Sequence, residues 1–188
     1  MTPLVFRCGG EELVGMLHQP AAPPATGVVV VVGGPQYRVG SHRQFVHLAR
    51  HLAADGHAVL RFDYRGVGES SLRLPAGTSL FGHWEAMENE RAYAMLLPDV
   101  RAAAAALADA VPGTARRVLV GYSLGAILAG MAAAATRATH VIGISPPVAK
   151  VGLEAYRTCA LPKLVLGGDD DFAFDRSRFD EEFERLPE

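Results

Sequence analysis

Only two cysteines, Cys8 and Cys159, stand in a chain of 188 residues. Two are too few for a disulfide scaffold, and they read instead as small core hydrophobes in a reducing compartment. Neither sign of charge dominates. The formal net charge is -2, which gives no reason to expect nucleic acid or a membrane surface as a partner. Long apolar runs are missing too. Val28 to Val32 is too short to span a bilayer, and the Ala-rich stretches sit among Asp and Arg. The opening Met-Thr-Pro-Leu-Val-Phe-Arg-Cys lacks a basic region followed by an apolar stretch, so no signal peptide is expected. There is no internal repeat and no low-complexity linker. The expectation is one soluble, cytoplasmic domain over 1–188, a length with room for a real core.

What is present alternates between two periods. Leu4 to Cys8 and Leu13 to Leu17 read as strands, with Gly9-Gly10 as the turn between them. Val28 to Val32 is a continuous β-branched run, the mark of a strand buried on both faces of a parallel sheet. Ser41 can cap a helix whose stripe is Phe45, Leu48, Ala49 and Leu52. Ala58 to Phe62 reads as the next strand. Residues 71–96 fit no clean period, yet carry Phe81, Trp84, Met87 and Tyr93. Such irregular apolar segments are often lids, so 71–96 is expected to be a cap insert. Pro98 can open a helix bearing Val100, Ala104, Leu107 and Val111 on one face. Val141 to Ser145 and Lys163 to Leu166 are the last strands, and a short helix with Phe179, Phe183 and Leu186 follows. This alternation argues an α/β fold with a mostly parallel sheet.

The sharpest signal is Arg117 to Leu128. A strand runs straight into Gly121-Tyr122-Ser123-Leu124-Gly125, and a helical apolar pattern follows at once. Strand, turn and helix with a serine at the apex is the context that a G-x-S-x-G nucleophile turn requires. The outer residues must be tiny for strand and helix to approach. Ser123 is then the candidate nucleophile, and the Leu124 N–H at the helix start is one candidate oxyanion donor. A second donor is expected from the loop after Val28–Val32. Pro35 has no N–H, which leaves Gln36 or Gly34; Gln36 stands at the loop position that usually donates.

A serine nucleophile also needs a base, and an acid to orient that base. The acid is expected at the carboxyl end of a strand after the turn, where open α/β sheets gather their sites. Asp169, Asp170 and Asp171 crowd that place, and spacing alone does not choose among them. A cation site is the weaker reading of this triplet, because no His or second acidic cluster lies near in sequence. The base is the difficulty. The expected order is Ser, Asp, His, yet none of the seven histidines follows Asp171. His47 and His51 share a helix flank, and His57 and His140 begin strands at the far end of the sheet. His42 and His83 alone are placed to approach Ser123.

These motifs together resemble the α/β-hydrolase superfamily, over almost the whole chain. Gly121 to Gly125 resembles its nucleophile elbow. The stretch Arg61-Phe-Asp-Tyr-Arg-Gly-Val-Gly-Glu-Ser70 resembles the segment after its fourth strand. Ser145-Pro-Pro-Val148 resembles the end of the sixth strand in small bacterial serine hydrolases. In the N-terminal half, Gly33 to Phe45 is similar to the first hydrolase associated with exosortase A systems. The resemblance implies an α/β-hydrolase fold, a mostly parallel sheet flanked by helices. It puts the acid on Asp171, three positions after Gly168. It also implies a further strand, a histidine loop and a final helix where this sequence reaches Leu186-Pro-Glu188, so the fold is expected to lack that last strand and helix. An edge left bare there would suit a homodimer. Two functions stay open. One is a serine hydrolase of ester, thioester or related acyl substrates, working through an acyl-enzyme on Ser123 with Asp171, Leu124 and Gln36, and needing no metal or cofactor. The other is a non-catalytic, hydrolase-like binding protein.

Overall fold

The computed structural model describes residues 1–171 and 173–187. Seven strands form one sheet in the order β1-β2-β4-β3-β5-β6-β7. The strands are β1 (Thr2–Cys8), β2 (Glu11–His18), β3 (Thr26–Val31), β4 (Ala58–Phe62), β5 (Arg116–Tyr122), β6 (His140–Ile144) and β7 (Lys163–Leu166). β1 and β2 are an antiparallel hairpin, turned at Gly9 and Gly10 with φ of 57° and 86°, values open to glycine without strain. β2 pairs antiparallel with β4, and the remaining five strands are parallel.

Every residue of β3 and β4 is buried. That is why Val28–Val31 of β3 reads as an unbroken apolar run, and β4 as one broken only by Arg61, not as alternating patterns. Helix α1 (Gln44–Ala54) lies between β3 and β4 in sequence and packs on one face of the sheet. Helices α3 (Leu97–Ala110) and α4 (Leu124–Ala132) pack on the other. Leu13, Leu60, Leu128 and Val100 have no exposed surface. Full burial of such a side chain contributes roughly 1.5–3 kcal/mol each. From β3 the chain steps to β4 on one side and later to β5 on the other, so the connections diverge on either side of β3. The crevice at the carboxyl ends of β3 and β5 is therefore the sheet's switch point, where open α/β sheets bind ligands.

Two local readings differ from the sequence expectation. Ser41 does not cap α1: Ser41–Arg43 form a 3-10 turn, and α1 starts after a left-handed Arg43 with no side-chain cap bond. Gly40 lies against the Phe45 ring, so the chain bends there before the helix begins. Residues 80–89, read as aperiodic, form helix α2 (Leu80–Asn89), with the Ser79 hydroxyl accepting from the Gly82 N–H at 3.0 Å. Only Met87 of this helix is buried, so no apolar stripe marks it in sequence. The end of the insert is core: Tyr93 and Leu96 are buried in the turn that leads into α3.

β7 is an outermost strand, and Leu164 and Leu166 on it are exposed. The two short helices after β6, α5 (Glu154–Arg157) and α6 (Arg176–Phe183), are joined by Glu182, whose carboxylate accepts from the Leu153 N–H and pairs with Arg157. Phe179 stacks between Phe174 and Phe183, and Phe183 stays largely exposed. Among the described residues no helix is long and apolar enough to cross a membrane.

Candidate active site

β5 ends at Tyr122 and α4 begins at Leu124, leaving Ser123 alone between them. Its backbone has φ 55° and ψ -126°, a conformation that costs a non-glycine residue of order 1–3 kcal/mol. Neighbours hold it there. The Ser123 N–H donates to Ile144 O at 2.9 Å, and Ser123 O accepts from the Ala126 N–H at 2.9 Å. The glycines on either side are steric necessities. A Cβ on Gly121 would lie 2.1 Å from Gly125 O, and one on Gly125 would lie 2.1 Å from Val31 O. Leu124 is the first residue of α4, so its N–H is one of the helix's unpaired starting donors.

The loop after β3 closes against this turn. A Cβ on Gly33 would lie 2.9 Å from Ser123 Cβ and 3.4 Å from Leu124 N. Gly34, with φ 56°, lines the Ser123 pocket, whereas Gln36 is exposed and outside that lining. The pocket holds about 190 Å³ and is also bounded by Glu88, Tyr93, Pro147, Lys150 and Ala173. Glu88 of α2 and Lys150 of the loop after β6 face each other at 3.7 Å. Helix α2 therefore reaches the rim of the pocket.

The three aspartates separate by role. Asp169 pairs with Arg176 at 3.0 Å, and Asp170 is exposed. Asp171 is half-buried, and its Oδ1 accepts from the Ala173 N–H at 2.9 Å, closing its own turn. That turn rests on the loop after β6, where the Ala149 N–H donates to Ala173 O at 3.3 Å. Ala173 of that turn lines the Ser123 pocket, and Asp171 lies outside the described lining. No histidine lines the Ser123 pocket among the described residues. His42 is exposed in the turn before α1, and His83 lies edge-on to Trp84 on α2. His57 and His140 share a cleft at the amino ends of the strands, with Arg116 and Lys163.

A buried polar framework, not foreseen from the sequence, fixes the loop after β3. The Arg38 N–H donates to Asp63 Oδ1 at 2.7 Å, and the Arg38 guanidinium pairs with Asp63 and with Glu69. Arg61 donates to Arg38 O at 2.7 Å and to His18 Nε2 at 3.1–3.2 Å. Burial first, then the nearby Arg61 charge, pushes His18 down to about 4. Asp99, fully buried on α3, accepts from the Arg65 N–H at 2.9 Å and from the Cys8 thiol. Burial, assisted by the Asp99 charge, raises Cys8 to about 11 and keeps it an inert thiol. The signal available in the sequence was Arg61 and Asp63 on either side of Phe62, charges set within a buried strand end.

A family model described as the alpha/beta hydrolase family matches residues 28–188. An uncharacterized Rickettsia prowazekii protein is 26% identical over 175 residues, 90% of this chain and 67% of its own length. A lidless α/β serine hydrolase from Xanthomonas campestris superposes with a TM-score of 0.71 at 25% identity, over 98% of this chain and 78% of that one. A Pyrococcus furiosus esterase superposes with a TM-score of 0.76 over 98% of this chain and 76% of its own, and at 18% identity it shows the shared fold. With the parallel sheet, its switch point and the Ser123 turn already in place, the match across residues 28–188 settles the kinship, and this chain belongs to the alpha/beta hydrolase family.

Proposed function

We propose that the protein is a serine hydrolase that cleaves an ester, thioester or related small acyl substrate through an acyl-enzyme on Ser123. The observation that carries this reading is the strained Ser123 backbone, held between β5 and α4 with Gly33 against its side chain. In this reading Ser123 Oγ attacks the acyl carbonyl carbon and gives its proton to a base. The carbonyl oxygen takes up the negative charge beside the Leu124 N–H and an N–H of the loop after β3, that of Gly34 or Gln36. The leaving group departs with a proton, and water then hydrolyses the acyl-serine. Asp171 would orient a histidine base, with His42 and His83 the two candidates. No step calls for a metal or cofactor, nucleic acid or a membrane surface. Helix α2, at the pocket rim, is the part of 71–96 that acts as the cap. The unpaired, buried Cys8 and Cys159 suit a cytoplasmic location.

The second reading, a non-catalytic binding protein of the same fold, is favoured by the lack of histidine in the described lining of the Ser123 pocket. A fluorophosphonate probe with peptide mapping separates the two. Labelling of Ser123 that disappears in Ser123→Ala supports the hydrolase. Loss of one triad member can cost on the order of 10⁶ in turnover, so weak labelling of Ser123 fits a poorly supplied base. Labelling that persists undiminished in Ser123→Ala sinks the assignment, and an unlabelled chain supports the binding protein.

A further inference from the structure

A second cleft lies beside the Ser123 pocket, between α2 and the loop that follows β4. It holds about 750 Å³, within the range of small-molecule sites. The Ser123 pocket holds about a quarter of that. Trp84 and Met87 of α2 form one wall and Val67 the other, with Leu80 and Phe81 at the start of the helix. Pro35 and Tyr37 bring in the loop whose Gly33 and Gly34 line the Ser123 pocket, and Glu88 borders both spaces. The two spaces therefore adjoin at Glu88 and along the loop after β3.

We propose that this cleft seats an uncharged apolar acyl or aryl group of the substrate attacked at Ser123. The proposal rests on the hydrolase reading and adds the substrate class. Three observations carry it. Phe81 is 76% exposed and Leu80 42%, adjoining apolar surface that a ligand would remove from water. The charged groups in the described lining are Glu85 and Glu88, both acidic. Arg38 stacks on the Tyr37 ring at 4.7 Å, but its charge is committed to Asp63 and Glu69. A carboxylate or phosphate seated there would shed its water and meet Glu85, with Glu88 already paired to Lys150, and gain no free cation in the described lining, so anions are disfavoured. The third is steric. A Cβ on Gly66 would lie 2.8 Å from Leu80 Cδ1, and one on Gly68 would lie 2.6 Å from the Tyr37 ring. Both glycines have positive φ, so the loop can lie against α2 and the β3 loop and form a wall.

Trp84 is the only tryptophan of the chain, so its emission reports occupancy of this cleft without turnover. The test titrates Ser123→Ala with ethyl octanoate and methyl 4-phenylbutyrate, then with the anions octanoate and 4-phenylbutyrate. The neutral esters should shift Trp84 emission saturably, and the anions should bind at least about ten-fold more weakly, a difference of about 1.4 kcal/mol. Phe81→Ser and Leu80→Ser, at exposed positions, should weaken ester binding several-fold with unchanged melting temperature. Glu85→Lys should raise the affinity for octanoate. Anions that bind as well as esters, or esters indifferent to both serine variants, overturn the proposal. Failure of the hydrolase reading looks different. In that case Trp84 responds to the esters while the unsubstituted protein neither turns them over nor labels at Ser123. Conversely, ester turnover by a labelled Ser123 with a silent Trp84 overturns the cleft and leaves the hydrolase intact.

Discussion

Arg38 meets Asp63 twice, its backbone N–H at 2.7 Å from Oδ1 and its guanidinium on Oδ2 of the same carboxylate. The contact joins the loop after β3 to the end of β4. Asp63 is fully buried and Arg38 is 7% exposed. Removing one partner of a buried pair leaves the other charge uncompensated, at a cost of about 3–5 kcal/mol. Glu69 still holds Arg38, so Asp63→Ala should fall toward the lower end of that range in urea unfolding. Fluorophosphonate labelling of Ser123 should slow as the loop around Gly33 and Gly34 loosens. A change in stability below about 1 kcal/mol would show that Asp63 does not anchor Arg38.

Stability should depend on pH through His18. Its native-state value, about 4, lies below the ordinary 6.5, so the unfolded chain binds the proton more readily. The stability His18 contributes is present above about 6.5 and is lost as pH falls toward about 4, flattening below that. Over the whole window the loss is on the order of 3 kcal/mol, a tenfold difference in proton affinity being worth about 1.4 kcal/mol. His18→Gln keeps an acceptor for Arg61 and removes the titration. Urea midpoints compared at pH 5 and pH 7 should differ less in His18→Gln than in the parent. An equal slope in both proteins would assign the effect to another group.

Gly125→Ala tests the close approach of α4 to β3. The added methyl would meet Val31 O at 2.1 Å, and neither backbone element can yield cheaply. Overpacking of this kind costs about 1–3 kcal/mol. Thermal unfolding should show the loss, and Ser123 labelling should fall further than stability explains, because the turn itself is displaced. Unchanged labelling in a destabilised Gly125→Ala would mean that the Ser123 geometry is set elsewhere.

The outermost strand β7 carries Leu164 and Leu166, 49% and 46% exposed. We propose that two copies associate through this edge across a two-fold axis, since an apolar edge strand invites pairing. Light scattering should show a dimer that dissociates in the double variant Leu164→Lys, Leu166→Lys, because lysine on an edge opposes strand addition. A parent chain that stays monomeric as concentration rises would end this account.

Much of the fold was legible because its determinants are local. Val28 to Val32 is β-branched at every position, and only a strand covered on both faces accommodates that. Gly121, Ser123 and Gly125 announced a tight turn, because a side chain on either glycine has nowhere to go. Tertiary structure alone decided the rest. The strand order that puts β3 beside β5, and so Gly33 against Ser123, depends on pairing between segments far apart in the chain. Arg38 and Asp63 lie 25 residues apart, and no periodicity links a loop arginine to a strand-end aspartate. Helix α2 escaped the sequence reading because it buries one residue and turns its large side chains toward a cleft. Among three adjacent aspartates, the same backbone turn sends one to Arg176, leaves one exposed and folds the third onto the Ala173 N–H. A run of identical residues carries no pattern from which to choose; the choice is made by what each carboxylate meets in space.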